Sequence, residues 1–421
     1  MGRIAAGQKW RAVAIGVGLA ALVCLAYGPA QALPLISDDY LHIWLARQYG
    51  PPEGWARLFA DPLYRCRAVS LVHAWLIDLW FGPTPIPFNL SSLFLHWGNC
   101  VLVAALGCWR LVGWRVSVPA AAFFAVHQGH QEAVIWFAAS PELEVFAFLL
   151  GGILCWIMWL RPGSRKWPWY VGCFAAFLLA LISKESGAIL PALLALILAV
   201  ERERDWRRWA AILPFLVVSG LYFWAGYVNR GQHLHYNDGT FAIGAPFWTT
   251  MPLSIFRMLW GVGLASIAVL ALWRRKALAW LLALTIGWMA ISLLPYSFLT
   301  YMSRVPSRHT YIAAAGLALL VGWAAAVTWE KAARRHRSLA VAAAILIVLA
   351  NTAYLWTRKH QQYVERARPT EEIRRKLAAG DGPVRVCGFP YSPGIAESVV
   401  VLSGSPRDRL QLVSGPDCTA E

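Results

Sequence analysis

Long apolar runs recur along most of the chain, each closed by a short polar or charged stretch. A helix needs about 20 apolar residues to cross the hydrocarbon core of a bilayer. Eleven runs predict spanning helices, near 11–33, 92–110, 116–128, 143–160, 168–183, 186–200, 209–228, 252–273, 277–296, 309–328 and 338–357. The third is short and leads into a polar segment. A further run, 68–82, has only about 15 residues and carries His73 and Asp78, so it is expected to lie in the outer interface rather than to cross.

Lys and Arg collect in cytoplasmic loops, which tests both the count and the orientation. With the N-terminus inside, the inner segments hold 19 Lys and Arg, and the outer loops up to residue 308 hold 8. The expected topology is therefore N-terminus inside and C-terminus outside. Counting 68–82 as a span would reverse every later loop and break this asymmetry. Ala30-Gln31-Ala32 loosely resembles a signal-peptidase site, but the polar stretch after it reads as a functional loop whose helix is retained.

Beyond 357 the chain turns polar, with short apolar stretches at 384–389 and 398–402. We expect a membrane domain over 1–357 and a small outer α/β domain over 358–421. Cys387 and Cys418 both fall in this tail, on an oxidising side, where a disulfide between them is expected.

Composition agrees: 58% of residues are hydrophobic and 14% charged, about half the charged fraction of a soluble domain. A water-soluble fold is excluded. The net charge of +16 is scattered among apolar runs rather than gathered on one segment, which argues against nucleic acid. The 24 Trp and 33 Gly suit interface anchors and packed spanning helices.

Ionisable groups at span ends are costly and need a reason. Here they gather at the outer ends: Asp38 and Asp39; His127, His130 and Glu132; Glu142 and Glu144; Lys184 and Glu185; Arg304, Arg308 and His309. Asp38-Asp39 offers a general base or, equally, a cap for the helix that follows. His127 and His130 have an i, i+3 spacing that can bind zinc, with Glu132 as a conceivable third ligand, or they belong to an irregular helix end. Ser183-Lys184-Glu185-Ser186 is a reentrant-looking corner or a self-neutralising pair at a turn. Arg65 and Arg67 suit phosphate oxygens or lipid headgroups. His96, inside a span, fits a substrate pocket or a helix-to-helix hydrogen bond.

The chain resembles the GT-C superfamily of integral-membrane glycosyltransferases, most closely the bacterial relatives of the transmembrane-tetratricopeptide protein O-mannosyltransferases. Ala125-Val126-His127, His130, Glu132-Ala133-Val134 and Trp136 are similar to that group's A-V-H-P-x-H-x-E-A-V-x-W stretch. Leu181, Ser183-Lys184-Glu185-Ser186 and Leu190-Pro191 resemble its L-x-S-K-E-x-x-x-x-L-P corner. Tyr64-Arg65, Phe81-Gly82 and Leu95-His96, then Leu294-Pro295, Arg308 and Tyr311, match further pieces in order, and Asp38-Asp39 stands where these enzymes keep an acidic pair. Gln128 replaces the usual Pro, Cys66-Arg67 replaces Pro-Leu, and tetratricopeptide repeats are absent from the sequence.

The resemblance implies an all-α GT-C bundle and an inverting transferase that moves a sugar from a polyprenyl-phosphate donor to an acceptor hydroxyl of a glycan, lipid or protein. It implies Asp38 as base with Asp39 in support, and Arg65, Arg67, Lys184, Arg304 and Arg308 toward the donor phosphate. His96, His127, His130, Glu132, Glu142, Glu185 and Tyr311 are expected in the substrate pocket, without a cofactor. A divalent metal, if used, would make Asp38 a ligand. Gly-, Ala- and Arg-rich usage suggests a bacterial inner membrane with the site facing the periplasm. The alternative from another class is a transporter or flippase for a lipid-linked or anionic solute; such proteins commonly carry midplane charges and internal repeats.

Overall fold

The computed structural model describes residues 2–163, 166–232, 237–300, 302–333 and 337–413. Cys418, and with it the expected bridge to Cys387, lies outside the described residues, as do the loop charges Arg165, Arg334 and Arg335.

The chain is almost wholly helical. The elements that position the site are α1 (Gly2–Tyr27), α2 (Asp38–Tyr49), α3 (Trp55–Ala60), α4 (Ala68–Phe81), α5 (Pro85–Ala105), α6 (Trp114–Val126), α7 (Gln131–Ile135), α8 (Pro141–Leu160), α9 (Lys166–Leu181) and α10 (Leu190–Glu201). They continue with α11 (Trp206–Ala210), α12 (Leu213–Val228), α13 (Phe247–Leu259), α14 (Val262–Trp273), α15 (Arg275–Leu293), α16 (Ala314–Lys331), α17 (Arg337–Tyr354), α18 (His360–Ala378) and α19 (Pro393–Leu402). Proline opens α5, α8 and α19 at a first-turn position, where its missing N–H is not needed.

Every predicted apolar run is helical, but the count of eleven crossings is more than length and composition carry. Six described helical stretches are long and apolar enough to cross a membrane: Trp10–Ala32, Pro85–Cys108, Phe137–Leu160, Trp206–Val228, Arg275–Phe298 and Arg337–Ala378. The run at 252–273 is broken into α13 and α14, bent by 77°. The break falls at Gly261, whose φ of +77° lies in the left-handed region that a residue without Cβ enters at little cost. Helices α6, α9 and α10 have 13, 16 and 12 residues and continue into short turns at the polar end of the bundle.

The core centres on α16 and the turn before it, where Tyr311 to Leu320 are all buried, and α16 packs against α6, α14 and α15. Small residues permit this, since spanning helices associate by close backbone approach rather than by the hydrophobic effect. A Cβ on Gly322 would lie 2.4 Å from the carbonyl oxygen of Val116, and one on Gly316 2.6 Å from that of Thr285.

Residues 68–82 form α4, which packs on α2 and leaves Leu76, Leu79, Trp80 and Phe81 exposed along its far side. Arg47 grips Asp78 through two hydrogen bonds, at 2.6 and 2.9 Å, and fixes α2 on α4.

The tail continues the membrane helix. α17 passes through a π-helical turn, Leu355–Lys359, directly into α18, so residue 357 lies inside one unbroken helical stretch. After it, β1 (Val384–Cys387) pairs in parallel with β2 (Leu410–Val413), with α19 as the crossover. The apolar stretch at 398–402 is thus helical. Val384, Val386, Ala396, Val399 and Val400 share a core with Leu35, Tyr40 and Ile43 of the first loop. The tail is packed on that loop.

Candidate active site

The site grows from the turn that follows α1. Ser37 is buried with φ +40°, an unfavourable backbone conformation for a side-chain-bearing residue. Asp39, one residue into α2, stabilises the turn. Its Oδ2 accepts the Ile36 N–H at 2.7 Å and its Oδ1 accepts the Ala138 N–H at 2.7 Å. Burial pushes Asp39 up to about 7, against the pull of those two N–H groups, while Asp38 raises it further. Both oxygens of Asp39 are thereby occupied by backbone.

Asp38 is different. It is half-buried, and among the described residues no hydrogen bond engages its carboxylate. Burial raises its pKa, opposed by the guanidinium groups of Arg308 and Arg366. Of the two carboxylates, one is part of the frame and the other is left without a hydrogen bond among the described residues, under the influence of the two cations.

Glu132 gathers those cations. Its Oε2 accepts the Ser307 hydroxyl at 2.6 Å and the Arg308 N–H at 3.1 Å, and its Oε1 accepts from the Arg308 guanidinium at 3.4 Å. Arg366, on α18, stands 3.8 Å from the same Oε1. Both guanidiniums lie over the Trp136 ring, at 5.4 and 4.6 Å from its centre. The Glu132 carboxyl is held below its usual range: burial opposes this, but Ser307, Arg308 and Arg366 prevail.

A second cluster lies deeper. Glu142, at the start of α8, is bonded by Lys184 and by His309, and its Oε2 accepts the Tyr296 hydroxyl at 3.0 Å. The Tyr296 and His309 rings stack with centres 4.2 Å apart. Burial and Arg67 lower the Lys184 ammonium, Glu142 and Glu185 resist, and the result is about 8. Beside it Arg67 donates to Glu185 at 3.2 Å, and the Cys66 thiol donates to the same carboxylate at 3.1 Å. Despite burial, Arg67 and Lys184 hold Glu185 down at about 2. The Val69 N–H donates to the Ile182 carbonyl at 3.1 Å, tying the first loop to the end of α9.

The two clusters meet in one short segment. Arg308 serves Glu132 and the adjacent His309 serves Glu142, so the turn before α16 joins the ends of α7, α8 and α9. The outer ends singled out from sequence do converge on one end of the bundle.

Other expected residues sit elsewhere. His96 and Tyr311 are fully buried between helices, joined at 2.7 Å, with Asn99 donating to Tyr311 at 3.2 Å. His130 is wedged between Phe124 and Tyr311, with neither ring nitrogen hydrogen-bonded among the described residues, and burial lowers its basicity well below normal. His127 meets His130 edge to face at 5.1 Å. Among the described residues no group of three or more His, Cys, Asp and Glu is placed to hold a metal. Arg65 donates to the Ala225 carbonyl at 3.3 Å, and Arg304 is exposed.

Sequence reasoning passed over Arg366, Tyr296 and the role of His309. A polar tail rich in Arg gave no reason to single out Arg366. His309 was one residue from an expected site, but its partner lies 167 positions away.

The chain matches no protein-family model and no curated protein sequence. Its fold is similar to that of solved structures of ArnT from Cupriavidus metallidurans. The apo form aligns with TM-score 0.56 at 15% identity over 98% of this chain and 87% of that one. The form bound to undecaprenyl phosphate aligns with TM-score 0.53 at 15% identity, over 98% and 86%. At that identity the likeness concerns the fold alone.

Proposed function

We propose that this protein is an inverting glycosyltransferase of the GT-C type that transfers a sugar from a polyprenyl-phosphate donor to an acceptor hydroxyl. It works at the outer face of a bacterial inner membrane. The observation that carries this reading is the division of labour in the acidic pair: Asp39 is occupied by backbone, whereas Asp38 has no hydrogen bond among the described residues and feels the charges of Arg308 and Arg366. A carboxylate within reach of a cationic cluster suits chemistry in which a proton is lost at one atom and negative charge develops at another. The shared fold with a protein whose structure holds undecaprenyl phosphate supports the donor class.

In the proposed step the acceptor oxygen attacks the anomeric carbon from the face opposite the phosphate. The carbon–oxygen bond to phosphate breaks and its electron pair stays on the phosphate. The acceptor proton passes to Asp38. Arg308 neutralises the departing phosphate. Glu132 holds Arg308 in place.

The test is transfer of radiolabelled sugar by purified protein in lipid from a panel of polyprenyl-phosphate sugars. Transfer, or slow donor hydrolysis, supports the reading. Movement of donor across liposomes without either would replace it with a transporter.

A further inference from the structure

One side chain of the tail reaches the cluster around Glu132. Arg366 lies on α18, which is continuous with the last membrane helix. Its guanidinium lies 4.6 Å from the centre of the Trp136 ring and 5.5 Å from that of Tyr363. Its backbone carbonyl accepts the Tyr391 hydroxyl at 2.6 Å, which pins this turn of the helix. Its helix is also fixed on the first loop, because Tyr40 of α2 donates to Glu371 at 3.0 Å.

Two features suit this group to a ligand rather than to structure alone. At 3.8 Å its contact with Glu132 is an ion pair without a hydrogen bond, so the N–H donors of its planar fork are not taken up by that carboxylate. Arg308 already supplies Glu132 with backbone and guanidinium donors, and Ser307 with a third, which leaves Arg366 redundant as a support. Two half-buried guanidiniums share one indole, and guanidinium forks match phosphate oxygens in geometry.

We propose that Arg366 is a substrate-binding residue: with Arg308 it forms a two-arginine clamp on a phosphate group beside Asp38, and the tail is therefore part of the active site. This inference rests on the reading of the protein as a polyprenyl-phosphate-dependent transferase. The shared ligand chemistry is a phosphate, lipid-linked or free. The lipid-linked form is favoured because the clamp sits where membrane helices end.

The experiment measures binding of undecaprenyl phosphate, and separately of inorganic phosphate, to the full-length protein in detergent. Wild type is compared with Arg366→Gln and Arg366→Lys, and thermal unfolding is followed in parallel. We expect Arg366→Gln to weaken undecaprenyl phosphate binding about tenfold or more, the loss expected for one charged hydrogen-bonding partner. Arg366→Lys should recover part of that loss, with unfolding midpoints near wild type. If Arg366→Gln does not fold, Arg366→Lys decides, because it keeps the charge and loses the fork. Unchanged affinity in a folded variant overturns the clamp and leaves the transferase reading intact. Wild type that binds neither ligand overturns both. Equal dependence on Arg366 for inorganic phosphate and lipid phosphate keeps the clamp but removes the preference for the lipid-linked form.

Discussion

The backbone N–H of Ala138 donates to Oδ1 of Asp39 at 2.7 Å, which ties the first turn of α2 to the loop before α8 across 99 residues of sequence. The same carboxylate holds Ile36 through its other oxygen, so the acidic pair is anchored by one member and leaves the other available.

Replacing Asp39 should therefore damage the fold. Asp39→Ala leaves two N–H groups without acceptors and is expected to cost about 1–3 kcal/mol for each buried donor left unpaired. Asp39→Asn keeps one acceptor and should lose less. Thermal inactivation of the purified variants checks the order.

Activity should depend on the ionisation of Asp38. Burial holds its pKa above the usual 3.8 while Arg308 and Arg366 pull it down. As a base it acts only when deprotonated, so kcat/KM should fall as pH drops through a pKa above that value. Arg308→Gln removes one opposing cation and should move this limb to higher pH. A limb that stays in place in that variant would show that Arg308 does not act on the base.

The Arg67–Glu185 pair has the opposite sign. Glu185 is lowered from 4.5 to about 2 in the folded protein. Its stabilising contribution is thus fully present above pH 4.5 and is lost as pH falls toward 2. The difference in unfolding midpoint between wild type and Glu185→Gln should shrink over that window. A difference constant with pH would contradict the pairing.

Glu142, Lys184, His309 and Tyr296 form one buried unit. Removing one partner of a buried ion pair strands the other, at a typical cost of about 3–5 kcal/mol. Lys184→Met alone should destabilise strongly, and Glu142→Leu added to it should restore part of the loss. Additive losses in this pair of variants would show that the two charges are independent.

Close helix contact offers a control away from the site. Gly322→Ala places a methyl group 2.4 Å from the Val116 carbonyl oxygen, so α6 and α16 must separate. Overpacking of this kind costs about 1–3 kcal/mol, read as a lower inactivation temperature without a change in pH profile.

Much of this was legible in the chain. The apolar runs marked the helices, and the polar residues at their ends marked where the structure brings ionisable groups together, because burying charge in a bilayer needs a reason. The broken run at 252–273 was less legible, since only Gly261 signalled the bend. The split of Asp38 from Asp39 was not readable, because neighbouring carboxylates look equivalent until the fold presents Ala138 to one of them. Arg366 was invisible for a similar reason: its partners Glu132 and Trp136 are over 200 residues away, and only the docking of α18 brings them together.

The most direct test of the account compares wild type, Asp38→Asn and Asp39→Asn in transfer from a polyprenyl-phosphate sugar, with the amount of folded protein in the membrane measured for each. Asp38→Asn should be folded and lose about 10²- to 10⁴-fold in turnover, the contribution of a positioned base. Asp39→Asn should lose folded protein while its folded fraction keeps most of its turnover. Wild-type turnover in Asp38→Asn would contradict the central claim.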